Sequence, residues 1–297
     1  MSKLPPSLKA LINAPFARPG PTPAPPGIRD VYERIARDAA ARELGTRPWL
    51  AISTAATLTR NAPDALPVLH AVAASACGAG GHEAPLAQLA QLAELMREVG
   101  LKCVSFNGIP RTINCLVAFR AALPDGVVAR LASAPSRTPT PRGLDGVASR
   151  GRRLWDSIYA PFGRKLVDKL ARAHPDLPVH ILGSHYGPLL SDPGPGPSAG
   201  ADPAGGGSLA RTGRVLTSLV AIACLRAQTG VGPQVLSHVF GLRKAFEDGA
   251  CEDDGDGDGD GDGVRWLASD EGLEWVLRTV DGIVDGLDGY GYAGAKL

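Results

Sequence analysis

The chain has little of what usually marks a chemistry at sight. Aromatic residues make up only 5 % of its 297 positions, too few for a β-sandwich core, which relies on aromatic and β-branched side chains. Its 31 basic and 30 acidic residues leave a formal charge of +1. That balance gives no electrostatic grip on nucleic acid or on an acidic membrane surface. No uninterrupted apolar run reaches the roughly 18 residues of a membrane span. Five cysteines, an odd number without close pairing, do not form a disulfide scaffold and suit a reducing compartment. His82, His174, His180 and His185 have no second His, Cys or acid at ligand spacing, so no metal is expected. No cofactor-binding motif is found either. What is abundant is Ala and Leu, interrupted by clusters drawn from 37 Gly and 26 Pro. The expectation is an all-α chain with sharp punctuation.

The first 27 residues are Pro-rich and carry Lys3, Lys9 and Arg18 with no acid before Asp30. Basic, acid-poor composition is also that of a mitochondrial presequence. Pro5, Pro6, Pro15 and the run from Pro19 to Pro26 leave only a short helical piece, so the segment reads as a flexible arm. Helical spacing then covers residues 28–44, 49–58, 65–77, 84–106 and 111–123. The last two meet at a Gly108-Ile109-Pro110 corner, where Gly108 can take a positive φ and Pro110 sits in a first turn. Leu92, Leu95, Met96 and Val99 form the stripe before the corner; Ile113, Leu116, Val117 and Arg120 form the one after it.

Ser133 to Arg142 alternates Ser, Thr, Pro and Arg and reads as a linker. One helix is expected over 150–173, with Leu154, Ile158, Phe162, Leu166 and Leu170 on one side. Residues 176–190 read as an irregular connection. Helices are expected again over 209–228, 234–246 and 266–287. The Gly-Asp repeat between them reads as a flexible spacer and not a calcium loop, because registers starting at Asp254, Asp256 and Asp258 place Arg265, Leu267 and Ser269 where the loop needs a bidentate Glu. The resulting division is an arm (1–27), a first half (28–125), a linker (126–150), a second half (151–290) with insertions at 193–207 and 250–263, and a tail (291–297).

Three stretches carry a family resemblance. Residues 211–245, with Arg-Thr-Gly-Arg-Val-Leu-Thr-Ser-Leu leading to Leu-Ser-His-Val-Phe-Gly-Leu, resemble the central helix pair of the carboxymuconolactone decarboxylase and AhpD-like superfamily. Tyr186-Gly187-Pro188-Leu189-Leu190 resembles the lead-in to that pair. Phe106, Gly108, Pro110 and Asn114 resemble the family's closing corner. The resemblance, strongest to fungal peroxisomal and mitochondrial members, implies an AhpD-like helical fold of two related halves, working as a homo-oligomer without cofactor. It places His238 as the catalytic histidine. The peroxidase branch's two cysteines are replaced by Val231 and Gln234, and its acid by the Gly213-Arg214 pair. A disulfide peroxidase of that type is therefore not expected.

The candidate residues follow. His238 lies on an apolar helix and is the proposed proton carrier; Arg214, Arg226 and Arg243 are candidate anchors for a carboxylate. Lys244 is a fourth cation near them in sequence, and His70 sits in a comparable apolar context in the first half. Cys103 and Cys115 flank the corner and form a possible redox pair. The last three residues, Ala295-Lys296-Leu297, match the small–basic–Leu peroxisomal address, with an import receptor as partner. The expectation is a peroxisomal matrix protein, with the mitochondrion as alternative address, acting on a small carboxylate or lactone. A non-catalytic scaffold of the same fold and a thiol-dependent peroxidase are the competing functions.

Overall fold

Packing of helices on one shared core organises the chain. The structure, a computed structural model, describes residues 4–78, 84–194, 210–247 and 261–289, and every regular element among them is helical. The class is all-α. In the arm, α1 (Pro6–Ile12) leaves Leu8, Leu11 and Ile12 exposed. The arm is fastened further on, where the Thr22 N–H donates to Asn61 O and its hydroxyl to Arg60 O, both at 2.8 Å.

Helix α2 (Ile28–Ala40) buries Ile28, Tyr32, Ile35 and Ala39 from one face, as a polar-backed amphipathic helix does. Helix α3 (Thr46–Thr59) is buried on every side from Pro48 onward. It is flanked by α4 (Ala65–Cys77) and α5 (Leu86–Lys102), followed by the short α6 (Val104–Asn107), α7 (Ile109–Ala122) and α8 (Asp125–Val128). The second half holds α9 (Leu144–Tyr159), α10 (Gly163–Ala173) and α11 (Asp176–His180), the last running into a π-helical segment (Ile181–Leu190). Then come α12 (Gly213–Gln228), α13 (Gly232–Glu247), α14 (Gly261–Trp266) and α15 (Asp270–Leu287). At the centre α3 and α12 pack on each other, and α15 lies against both. A single apolar core runs from Ile28 to Leu287 and draws on both halves. Trp155, Ile158, Tyr186 and Leu190 form a smaller cluster, and Phe106 packs against both.

Four local readings need correction. The helix expected over 150–173 begins at Leu144 and breaks at Ala160-Pro161-Phe162, where Pro161 has no N–H to donate. Phe162, assigned to its buried stripe, is 70 % exposed in consequence. Residues 176–190 are helical instead of irregular. Pro188 withdraws a donor there, and the chain widens to the five-residue bond of Ser191 N–H to Tyr186 O (3.0 Å). Close approach to α9 holds that segment: a Cβ on Gly151 would lie 2.5 Å from the Gly187 nitrogen. On α7 the packed side is Thr112, Cys115 and Phe119, while Ile113 and Val117 face outward. The Gly108 corner (φ 77°) sets that rotation, and an evenly apolar helix gives no hint of it.

Buried charge ties the halves together. Glu94, Glu98 and Lys102 recur every fourth residue on α5, and all three are buried. Glu94 accepts from Ala132 N–H (2.6 Å) and Arg97, and Glu98 from both Arg137 amino groups. These bonds pin the linker segment to α5. The Lys102 ammonium, fully buried, donates to Leu190 O and to Asp192 Oδ1 (2.9 Å) and lies 3.7 Å from Glu98 Oε1. Asp192 in turn accepts from Thr212 N–H (3.1 Å) and Gly213 N–H (2.7 Å), capping the start of α12. Burial would raise the Asp192 carboxyl, but Lys102 and these two N–H donors outweigh it and hold the carboxyl below its usual range.

Removing the cation should therefore be costly. Lys102→Ala is expected to lower unfolding free energy by about 3–5 kcal/mol, because buried carboxylates lose their partner. Lys102→Met with Asp192→Asn should recover part of that loss, since one orphaned charge is gone. Urea denaturation of both variants measures this; a double variant as unstable as Lys102→Ala or worse would rule out charge pairing as the role of Lys102.

Candidate functional site

Helix α13 presents His238, 5 % exposed, to α9 and to the Phe106 ring of α6. Its Nε2 lies 3.3 Å from the Tyr159 hydroxyl, which lies 3.0 Å from the Tyr186 hydroxyl. Phe106 meets the imidazole edge to face at 6.2 Å between centroids, and Tyr159 does so at 5.9 Å. Trp155 packs behind, 4.3 Å from Tyr159 and 5.0 Å from Tyr186. The other imidazole nitrogen, Nδ1, is buried without a hydrogen-bond partner.

Arg214, near the start of α12, fixes the geometry around this ring. Its Nε donates to Ser157 Oγ (2.8 Å), one amino group to Ser218 Oγ, and the other to Gly241 O (2.7 Å) and Ser157 O (3.3 Å). One guanidinium thus joins α9, α12 and α13. Such a fork of fixed donors suits a junction of several segments. A Cβ on Gly241 would meet Ile158 Cγ2 at 2.8 Å, so this closeness of α13 to α9 depends on glycine.

The electrostatics keep the imidazole neutral. Burial lowers the His238 pKa first, and the Arg214 charge lowers it further, to about 4. Burial also raises the Tyr159 and Tyr186 hydroxyls above their ordinary range, so both stay protonated. A neutral imidazole has one nitrogen with a proton and one without. The chain Tyr186–Tyr159–His238 can therefore reverse its donor directions, while Nδ1 stays buried without a partner.

Of the other candidate site residues, only Arg214 comes near His238, while Phe106 and Tyr186 from the family-like stretches join its ring cluster. Arg226 makes a two-bond ion pair with Asp281 (2.7 Å each), and Arg243 pairs with Asp270; both pairs are solvent-facing. Lys244 reaches Asp156 O at 3.5 Å. His70 bonds Leu89 O (2.9 Å), stands edge-on to Phe119 and is kept neutral by burial: a satisfied core histidine. Cys103 and Cys115 are both buried, and the sulfur facing Cys103 belongs to Cys224, at 3.4 Å. Burial pushes the Cys115 thiol up to about 12 and raises Cys103 well above normal, which disfavours a peroxide-reactive thiolate. Residues 195–207, 250–260 and the address Ala295-Lys296-Leu297 lie outside the described residues.

Tyr159, Ser157, Trp155 and Ser218 were not visible as site residues in the sequence. The available signal is Trp155 and Tyr159 one turn apart, which the apolar stripe of the same segment outweighs. A surface groove lined by Arg97, Glu98, Leu101 and residues 132–138 shares no residue with the His238 cluster. Among the described residues no group of three or more His, Cys, Asp or Glu is placed to hold a metal, and no helix is long and apolar enough to cross a membrane.

The depressed pKa fixes a pH dependence. As pH falls, the unfolded chain protonates His238 near 6.5 while the folded chain resists until about 4. Stability present above pH 6.5 is thus lost on the way down to pH 4, by about 3 kcal/mol from this residue. His238→Gln should flatten that part of the urea-stability curve, and the His238 ring resonances should titrate near 4. A midpoint near 6.5 would mean a solvated ring and defeat the assignment.

Comparison with known proteins adds one relative. The chain is 31 % identical over 114 residues to Peroxisomal protein 2 of Saccharomyces cerevisiae, an alignment covering 32 % of this chain and 40 % of that protein. The chain thus spans less than half the length of this curated relative. No family model matches the sequence, and no solved structure matches it.

Proposed function

We propose that this chain is a peroxisomal matrix protein whose His238 cluster transfers protons, without cofactor, on a small carboxylate or lactone. The observation that carries the chemical part is the buried neutral imidazole, with Nδ1 unpartnered and Nε2 joined to two tyrosine hydroxyls. An imidazole held neutral offers a substrate one bare nitrogen and one N–H at neutral pH, a base weakened by its lowered pKa, once a fixed neighbour orients it. Tyr159 supplies that fixed neighbour. Arg214 enters this reading as a positioning residue, since its guanidinium donates to Ser157, Ser218 and Gly241. The peroxisomal part is supported by the terminal Ala-Lys-Leu and by the name of the yeast relative. The import receptor and a second copy of the chain are the partners this reading includes.

The scaffold reading is favoured by a different observation: the guanidinium donates to Ser157, Ser218 and Gly241, and among the described residues no carboxylate is hydrogen-bonded to His238. The two readings separate in one assay. Purified protein is tested on small lactones and on carboxylates able to lose CO₂, following ring opening and CO₂ release. His238→Ala should abolish turnover, and Tyr159→Phe should lower kcat by roughly 10²-fold, the scale of a lost proton-transfer partner. Turnover indifferent to His238 would remove it from the mechanism, and no turnover across the panel would favour the scaffold. For the address, an internal fluorescent tag in the 193–207 insertion leaves both ends free. Deleting Lys296 and Leu297 should turn a punctate signal diffuse; persistent puncta would make the tripeptide a coincidence.

A further inference from the structure

We infer that Cys103 and Cys224 form a site of reversible oxidation, a hydroperoxide-driven cross-link that fastens the α6 turn to α12 beneath His238. The two sulfurs lie 3.4 Å apart and both residues are fully buried. A disulfide needs about 2.05 Å, so an approach of only about 1.4 Å closes the bond. The two residues are 121 positions apart, so the bond would join the first half to the second. Cys77 faces the Thr46 hydroxyl at 3.5 Å instead.

Access is through the α6 turn. Cys103 joins α5 to α6, a helix of four residues held by side-chain bonds from Asn107 to Thr59 (3.0 Å) and between Ser105 and His185 (3.1 Å). Asn107 Nδ2 also lies 3.8 Å from Cys224 Sγ, so the same turn covers the second thiol. Opening of this turn would remove Asn107 from Cys224 Sγ and loosen the chain next to Cys103. Burial raises the Cys103 thiol, so oxidation waits on this opening. The pair is accordingly a slow stoichiometric cross-link and not a turnover peroxidase.

The chemistry balances with a hydroperoxide as oxidant. One thiolate attacks the terminal peroxide oxygen, giving a sulfenic acid and releasing the alcohol, or water from hydrogen peroxide. The second thiol then attacks the sulfenic sulfur, forming the S–S bond and releasing water. A dithiol reverses it by exchange, becoming a disulfide itself. The consequence for the site runs through Phe106, three residues after Cys103 and edge-on to His238. A cross-link restrains the turn that carries this ring.

The full chain, exposed to hydrogen peroxide under native conditions and then alkylated, tests the inference by peptide mass mapping. The expected product is a Cys103–Cys224 linked peptide 2 Da lighter than its two thiol peptides, removed by dithiothreitol and absent in Cys103→Ser and Cys224→Ser. Cys115→Ser should cross-link as the natural chain does, and Asn107→Ala, which loosens the turn, should speed the reaction several-fold. The cross-linked form should melt at a higher temperature, because the bond closes a long loop. His238 ring resonances should shift on cross-linking and return on reduction. Linkage of Cys103 to Cys115, or only sulfinic and sulfonic acids at these sulfurs, would overturn the pairing. A cross-link that leaves the His238 resonances unmoved would overturn its connection to the site.

Discussion

A buried lysine holds this fold in register. Lys102 ends α5 inside the protein, where an ammonium survives only if its charge is balanced and its protons are shared. The chain supplies Asp192, Glu98 and the Leu190 carbonyl. Asp192 then uses its remaining acceptor capacity to cap α12 through the N–H groups of Thr212 and Gly213. One ion pair therefore fixes the end of α5, the exit of the π-helical segment and the entry of α12. Geometry at these three places would otherwise be left to apolar contacts, which have no direction.

The candidate site depends on that register. Arg214 directly follows Gly213, the last residue whose N–H Asp192 caps, so the cap also aims the guanidinium across to Ser157 and Gly241. With α9 and α13 drawn together, Tyr159 and His238 meet. The arrangement concentrates polar atoms in the smaller of the two apolar clusters, where Trp155, Ile158, Tyr186 and Leu190 exclude water. Low local polarity explains both electrostatic signs at once: the imidazole resists taking a proton and the tyrosines resist losing one. The two halves treat their histidines differently. His70 is consumed by the Leu89 carbonyl, whereas His238 keeps Nδ1 open.

Helical structure was legible from the sequence because its causes are local. Spacing alone marked the α15 face, where Leu273, Val276, Val280 and Ile283 are buried, and Ser269 caps that helix through Gly272 N–H. The Gly108 corner likewise needed nothing beyond its own residues, a positive φ followed by a proline in a first turn. His238 could be picked out as the polar residue on an apolar helix. Readings failed where local preference was overruled. Gly151 and Gly187 let α9 and the π-helical segment touch, so a stretch rich in breakers became helical. On α7, apolar residues on both sides left the inward face undecided until the corner rotated it.

The sequence by itself determined the helical class, most helix positions, and His238 as a polar residue on an apolar helix. Tertiary structure alone decided which polar atoms meet: Lys102 with Asp192, Arg214 with Gly241, Tyr159 with His238, and Cys103 with Cys224. The physical reason is a difference in range. Periodicity reflects the geometry of a single turn, so it is written over a few neighbouring residues. Partners for buried charge and hydroxyl groups come from segments 27 to 121 positions away, and packing of whole helices chooses them.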